Sequence, residues 1–169
     1  MDTLTAAPFN LAFDQLVLVK AISTNFYGSG PESVVNTIGV RVMQRPSQMG
    51  PISVISKTET KITLSWSSLT GIATGNSAIT AYNLYWDNNS GTVSNLVVSG
   101  LINQFTVQGT TGGQTYQFQV TASNVYGEGE RSQTLSQISS DVPDLISIAR
   151  TANVGTNIVI NWDAPFNNY

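Results

Sequence analysis

Alternation of apolar and polar residues with a period of two runs through most of this chain, and no stretch sustains the apolar spacing of an amphipathic helix. KITLSW at 61–66 sets Ile62, Leu64 and Trp66 on one face and Thr63 and Ser65 on the other. AYNLYW at 81–86 aligns Tyr82, Leu84 and Trp86, and TYQFQVTASN at 115–124 aligns Tyr116, Phe118, Val120 and Ala122 against Gln117, Gln119, Thr121 and Ser123. Each pattern predicts a strand with one buried side. Shorter candidate strands lie at 51–56, 95–99, 104–107 and 131–138, separated by turn-forming stretches such as TGNS at 74–77, DNNSG at 87–91 and TTGG at 110–113. About seven short strands in so few residues predict an all-β chain folded as a Greek-key β-sandwich.

A second pattern concerns organisation. NFYGSGPES at 25–33 and NVYGEGERS at 124–132 are nearly the same phrase, with Tyr27 and Tyr126 99 positions apart. Repetition at domain spacing indicates a repeated structural unit rather than one active site. Aligned without gaps, Val17, Val19 and Ala21 fall opposite Tyr116, Phe118 and Val120, while Ile158, Ile160 and Trp162 in NIVINW fall opposite Ile62, Leu64 and Trp66 at a spacing of 96. The expected division is therefore the closing strands of one unit in 1–45, a complete unit in 46–143, and the opening strands of a third in 144–169. PSQMGP at 46–51 and DVPD at 141–144 mark the joins, where proline suits a short, stiff connection.

The middle unit resembles a fibronectin type III domain almost end to end. Trp66 matches the family's core tryptophan in the second strand, and Ile79, Tyr82, Leu84 and Trp86 match its third strand. Gly113, Tyr116, Phe118, Val120, Ala122, Asn124, Gly127, Gly129 and Ser132 match the run through its last two strands. The resemblance implies an immunoglobulin-like Greek-key sandwich in a tandem array. It also implies a structural core built on Trp66, Tyr82, Leu84, Trp86, Tyr116, Phe118 and Val120, with Asn124 and its glycines shaping a turn. Thr110 stands where the family usually has leucine, which implies a smaller contact beneath Tyr116 and looser packing there. Val17 stands where the middle unit has Tyr116, so the first partial unit is expected to lack or displace that tyrosine.

Composition limits the chemistry. The 169 residues contain no cysteine and no histidine, which removes disulfides, thiolate metal sites, cysteine nucleophiles, Ser-His-Asp catalysis and histidine-ligated zinc. Only 10% of residues are charged and the net charge is −3, so no basic field exists to hold nucleic acid. No apolar run reaches the roughly 18 residues of a membrane helix, and MDTLTAAPFN lacks the basic start of a signal peptide, so no membrane insertion is expected in this segment and any export signal is expected elsewhere.

DNNSG offers oxygens from Asp87, Asn88 and Asn89 that could be read as calcium ligands, but the set is incomplete and Asn and Asp are ordinary hairpin-turn residues; the turn reading is preferred. Asn88-Asn89-Ser90 is an N-glycosylation sequon, making Asn88 a candidate acceptor in a secretory pathway. Glu128, Glu130 and Arg131 form a candidate partner loop; Arg131 is followed by Ser132 and Gln133, so no RGD tripeptide is present, and a solvated loop is the preferred reading. The acidic pair has no shielded pocket in sequence that would make it an acid and base.

These observations predict a non-enzymatic chain without cofactor or metal, acting as a structural, spacer, scaffold or adhesion module of a cell-surface, matrix or filamentous assembly, extracellular or at the cell surface, its partners being other protein chains or neighbouring repeats. Two alternatives stay open: an accessory stalk of a secreted carbohydrate-active enzyme, and head-to-tail self-association in which the tail of one molecule completes the head of the next. The two ends together fall short of one repeat, which disfavours the second alternative.

Overall fold

The computed structural model describes residues 2–146 and 148–165. Its strands in chain order are β1 (Thr24–Asn25), β2 (Gly28–Ser29), β3 (Ser53–Lys57), β4 (Lys61–Ser65), β5 (Ile79–Trp86), β6 (Asn95–Gly100), β7 (Gln104–Gln108), β8 (Thr115–Asn124), β9 (Gly127–Glu128), β10 (Leu135–Ile138), β11 (Ala149–Val154) and β12 (Asn157–Trp162). One sheet has the order β3-β4-β7; the facing sheet has the order β10-β8-β5-β6, with β9 paired to β8. The chain thus crosses between sheets after β4, β6 and β7, as a Greek-key sandwich requires.

Register explains the core. In the antiparallel β5–β8 pair, Tyr82 faces Ala122, Leu84 faces Val120 and Trp86 faces Phe118; in β4–β7, Ile62 faces Val107 and Leu64 faces Phe105. Cross-strand partners share a face, so both sets turn inward together. Ile62, Leu64, Leu84, Phe118 and Val120 are fully buried, and Trp66, Tyr82 and Tyr116 nearly so. Trp86 is half-buried at the rim of the core, stacked 5.6 Å from Tyr116 and 6.4 Å from Phe118. Tyr116 buries its ring and accepts a hydrogen bond from the Thr111 amide at 2.9 Å, which pins the chain entering β8.

Thr110, which stands where the family usually has leucine, is buried. Its hydroxyl donates to Glu59 O at 3.0 Å, and Ser139 Oγ, fully buried, lies 2.8 Å from Thr110 Oγ1 and 2.7 Å from Glu59 O. The chain leaving β10 is thereby tied to the β3–β4 turn by hydrogen bonds.

Asp87, at the end of β5, is also buried. Its Oδ1 accepts from the amides of Gln117 at 3.0 Å and Asn89 at 3.3 Å, and its Oδ2 from the amide of Gly91 at 3.3 Å. Those oxygens organise a turn in which Asn88 and Asn89 adopt positive φ, 47° and 62°.

The indole nitrogen of Trp66 is buried without a partner among the described residues. Two consequences for stability separate shape from polarity. Trp66→Ala removes the largest side chain between the sheets and should cost about 3–5 kcal/mol. Trp66→Phe keeps an aromatic ring and removes the unpaired donor, so urea denaturation should show less than half the loss caused by alanine.

Candidate interaction surface

The outer face of the β5–β8 pair is polar. Asn83 faces Thr121 and Tyr85 faces Gln119. On an open sheet face such side chains would be wet, yet Asn83 is only 7% exposed and Thr121 1%. They are covered because β9 hairpins back against β8, pairing Glu128 with Ser123, and lays its side chain over the sheet.

Glu128 Oε1 is the hub. It accepts hydrogen bonds from the Thr121 hydroxyl, from Tyr85 OH at 2.8 Å and from Asn83 Nδ2 at 3.3 Å. Asn83 Nδ2 also lies 2.9 Å from Ser123 Oγ, and its Oδ1 accepts from Ser99 on β6 at 2.6 Å. Arg131 lies with its guanidinium carbon 4.2 Å from the centre of the Tyr85 ring, a cation–π contact, and donates to Val93 O and to Gln119 Oε1 at 3.2 Å.

Partial burial alone would raise the pKa of Glu128, but the hydrogen bonds from Thr121, Tyr85 and Asn83, with the charge of Arg131, outweigh it and hold the carboxyl below its ordinary value. Tyr85 moves the other way: burial, then the hydrogen bond and charge of Glu128, raise its pKa, against the opposing charge of Arg131. A carboxylate stabilised in its ionised form by three donors on one oxygen is a poor proton donor at neutral pH. The arrangement favours rigidity over acid–base chemistry.

The structure therefore brings Glu128 and Arg131 together around Tyr85 in internal contacts, while Glu130 in the same loop is exposed. Asn88 is exposed on its turn. Residues Trp66, Tyr82, Leu84, Tyr116, Phe118 and Val120 lie in the core and Trp86 at its rim, none of them on this surface. Sequence reasoning passed over Asn83, Tyr85 and Thr121. The available signal was an Asn in the middle of a strand, where its low β-propensity calls for a side-chain partner. Among the described residues, no group of three or more His, Cys, Asp or Glu side chains could hold a metal ion, and no helix is long and apolar enough to cross a membrane.

Two facing antiparallel sheets with this strand order define an immunoglobulin-like sandwich. Within that class the chain belongs to the fibronectin type III family, whose domain matches residues 46–138. In an alignment 162 positions long that covers 92% of this chain, it is 28% identical to neogenin of Rattus norvegicus, of which it spans 11%. It is 27% identical to neogenin of Mus musculus over the same share of this chain, spanning 10% of that protein. Among solved structures it is similar to titin kinase with its flanking domains, at 23% identity over 57% of this chain and 17% of that one, with a TM-score of 0.51. It is also similar to the sixth fibronectin type III domain of human fibronectin type III domain containing protein 3, at 22% identity over 65% of this chain and 99% of that one, with a TM-score of 0.50. At these identities the structural likeness is one of fold.

A carboxylate whose pKa falls on folding contributes stability that is present above its unfolded value, about 4.3, and is lost as the pH drops through the folded value. Urea midpoints of the parent and of Glu128→Gln should therefore differ at neutral pH, in favour of the parent, and draw together below about pH 4.

Proposed function

We propose that this chain is one stretch of an array of fibronectin type III sandwiches and works as a non-catalytic spacer or adhesion module at a cell surface or in an extracellular assembly. In this reading residues 1–45 close a preceding sandwich, 46–143 form a complete one and 144–169 open the next. Its partners are neighbouring repeats and other protein chains. Asn88, exposed on its turn, is the position for an N-glycan if the chain passes through a secretory pathway, and Glu130 is the loop side chain best placed to meet a partner, with Glu128 and Arg131 holding the loop in shape.

The observation that carries this reading is a set of hydrogen bonds that recurs at the 99-residue spacing. The Tyr27 amide donates to Asn25 Oδ1 at 2.9 Å, as the Tyr126 amide does to Asn124 Oδ1 at 2.8 Å. Gly30 N donates to Ser23 O as Gly129 N donates to Ala122 O, and Ser33 N to Ala21 O as Ser132 N to Val120 O. Ala21 N donates to Ser33 Oγ as Val120 N does to Ser132 Oγ, and Asn25 pairs with Gly28 as Asn124 pairs with Gly127. The second corner rests on a sandwich. The first stands clear, with Phe26 96% and Tyr27 94% exposed.

Support from the other end is similar. The β11–β12 hairpin pairs Asn153 with Ile158 as β3–β4 pairs Lys57 with Ile62, and it leaves Ile158, Ile160 and Trp162 exposed. The similarity to neogenin, covering 92% of the chain, extends past the matched family domain on both sides.

The test is to compare this chain with one extended by its natural downstream sequence. Trp162, 60% exposed here, should become shielded from acrylamide quenching in the longer chain, as read from the difference between each chain and its Trp162→Phe variant. Equal quenching of Trp162 in both would overturn the third sandwich, and scattering from the longer chain should show an elongated particle; a compact one would overturn the array.

A further inference from the structure

One end of the sandwich, formed by the loop 71–76 and the corner 124–130, is occupied by the chain that leads into it. Gln44 N donates to Gly75 O at 3.0 Å and Ser47 N to Ala73 O at 2.9 Å. From the corner, Asn124 Nδ2 donates to Gln44 O at 2.8 Å while holding Thr74 O at 2.9 Å, so one amide ties the segment to both loops. Gln48 Nε2 reaches across to Arg131 O at 2.7 Å.

Two glycines keep this track open. A Cβ at Gly75 would stand 2.1 Å from Gln44 O, and one at Gly129 would stand 2.4 Å from Pro46 O. Neither contact is sterically allowed, so only glycine lets the upstream backbone lie where it does. Gly75 has the further reason of a φ of 74°, whereas Gly129 serves close approach alone.

The contact continues upstream. Asn76 Nδ2 donates to Asp14 Oδ1 at 3.0 Å and lies 3.3 Å from Val42 O; Asp14 N donates to the same Val42 O at 3.2 Å, and Arg41 Nη1 donates to Asp14 O at 2.6 Å. The ribbon that carries the first corner runs between Asp14 and Val42, with Val17 N bonded to Val40 O.

We propose that this end of the sandwich is a built-in seat for the upstream chain, so that residues 14–47 leave the sandwich in one set direction and the connection acts as a stiff joint. The proposal holds whether or not residues 1–45 belong to a further sandwich. Asn124, Gly75 and Gly129 seat the backbone of 44–47, and Asn76 carries the constraint on to Asp14 and Val42. A main chain gripped on both sides by hydrogen bonds swivels far less than a free linker of similar length.

The chain has no cysteine, so Val34→Cys and Ser136→Cys introduce two unique spin-label positions, one on the upstream ribbon and one on β10. Pulsed electron paramagnetic resonance on the full chain should give one narrow distance distribution. Gly129→Ala, which drives a methyl into Pro46, and Asn76→Gly, which removes the amide while suiting its φ of 56°, should each broaden it. In Gly129→Ala the amides of Gln44 and Ser47 should also exchange on the order of tenfold faster, the loss of about one hydrogen bond's net worth, with β8 amides unchanged. A broad distribution in the parent overturns the stiff joint. A distribution that stays narrow in folded variants overturns the seat as its cause; if Gly129→Ala fails to fold, Asn76→Gly alone decides.

Discussion

Everything in the middle of this chain depends on two sheets closing over one layer of side chains. Ile62 and Leu64 from one sheet and Leu84, Phe118 and Val120 from the other are fully removed from water, and each such side chain contributes roughly 1.5–3 kcal/mol through burial. With no cysteine in the chain to form a disulfide, that contact is what offsets the conformational entropy lost in ordering the eight strands of the two sheets. Trp66 and Tyr116 lie in the same core, with the half-buried Trp86 packed against it.

Once the core is closed, the polar features follow from it. Asp87, Thr110, Ser132 and Ser139 are buried and each binds main-chain groups: Asp87 and Ser132 take amides of β8, and Thr110 and Ser139 hold carbonyls of the β3–β4 turn. The outer face of β5–β8 adds a second layer of order, because Glu128 gathers Thr121, Tyr85 and Asn83 around one oxygen. A loop anchored in this way presents Glu130 from a fixed platform.

The ends behave differently from the middle. The corner at 25–33 and the hairpin β11–β12 keep their local hydrogen bonds while their apolar side chains stay exposed. Local hydrogen bonding and strand pairing are encoded over a few residues, whereas burial needs an opposing sheet. The contrast between Trp66, nearly buried, and Trp162, exposed in the same sequence pattern, makes the difference concrete.

Period-two alternation by itself determined where β4, β5 and β8 run and which of their faces is apolar, because side-chain direction in a strand is a property of the backbone. The 99-residue repetition likewise determined the shape of the two corners, since an Asn oxygen two residues from an amide closes the same turn wherever it occurs. What only the tertiary structure decided is which polar groups meet. That Thr110 joins Ser139, that Glu128 covers Asn83, and that Asn124 holds Gln44 across 80 positions of sequence depends on how loops from different strands come together at the ends and faces of the sandwich. Alternation carries no signal for those meetings, because it records which side of a strand a residue occupies and not what will lie against it.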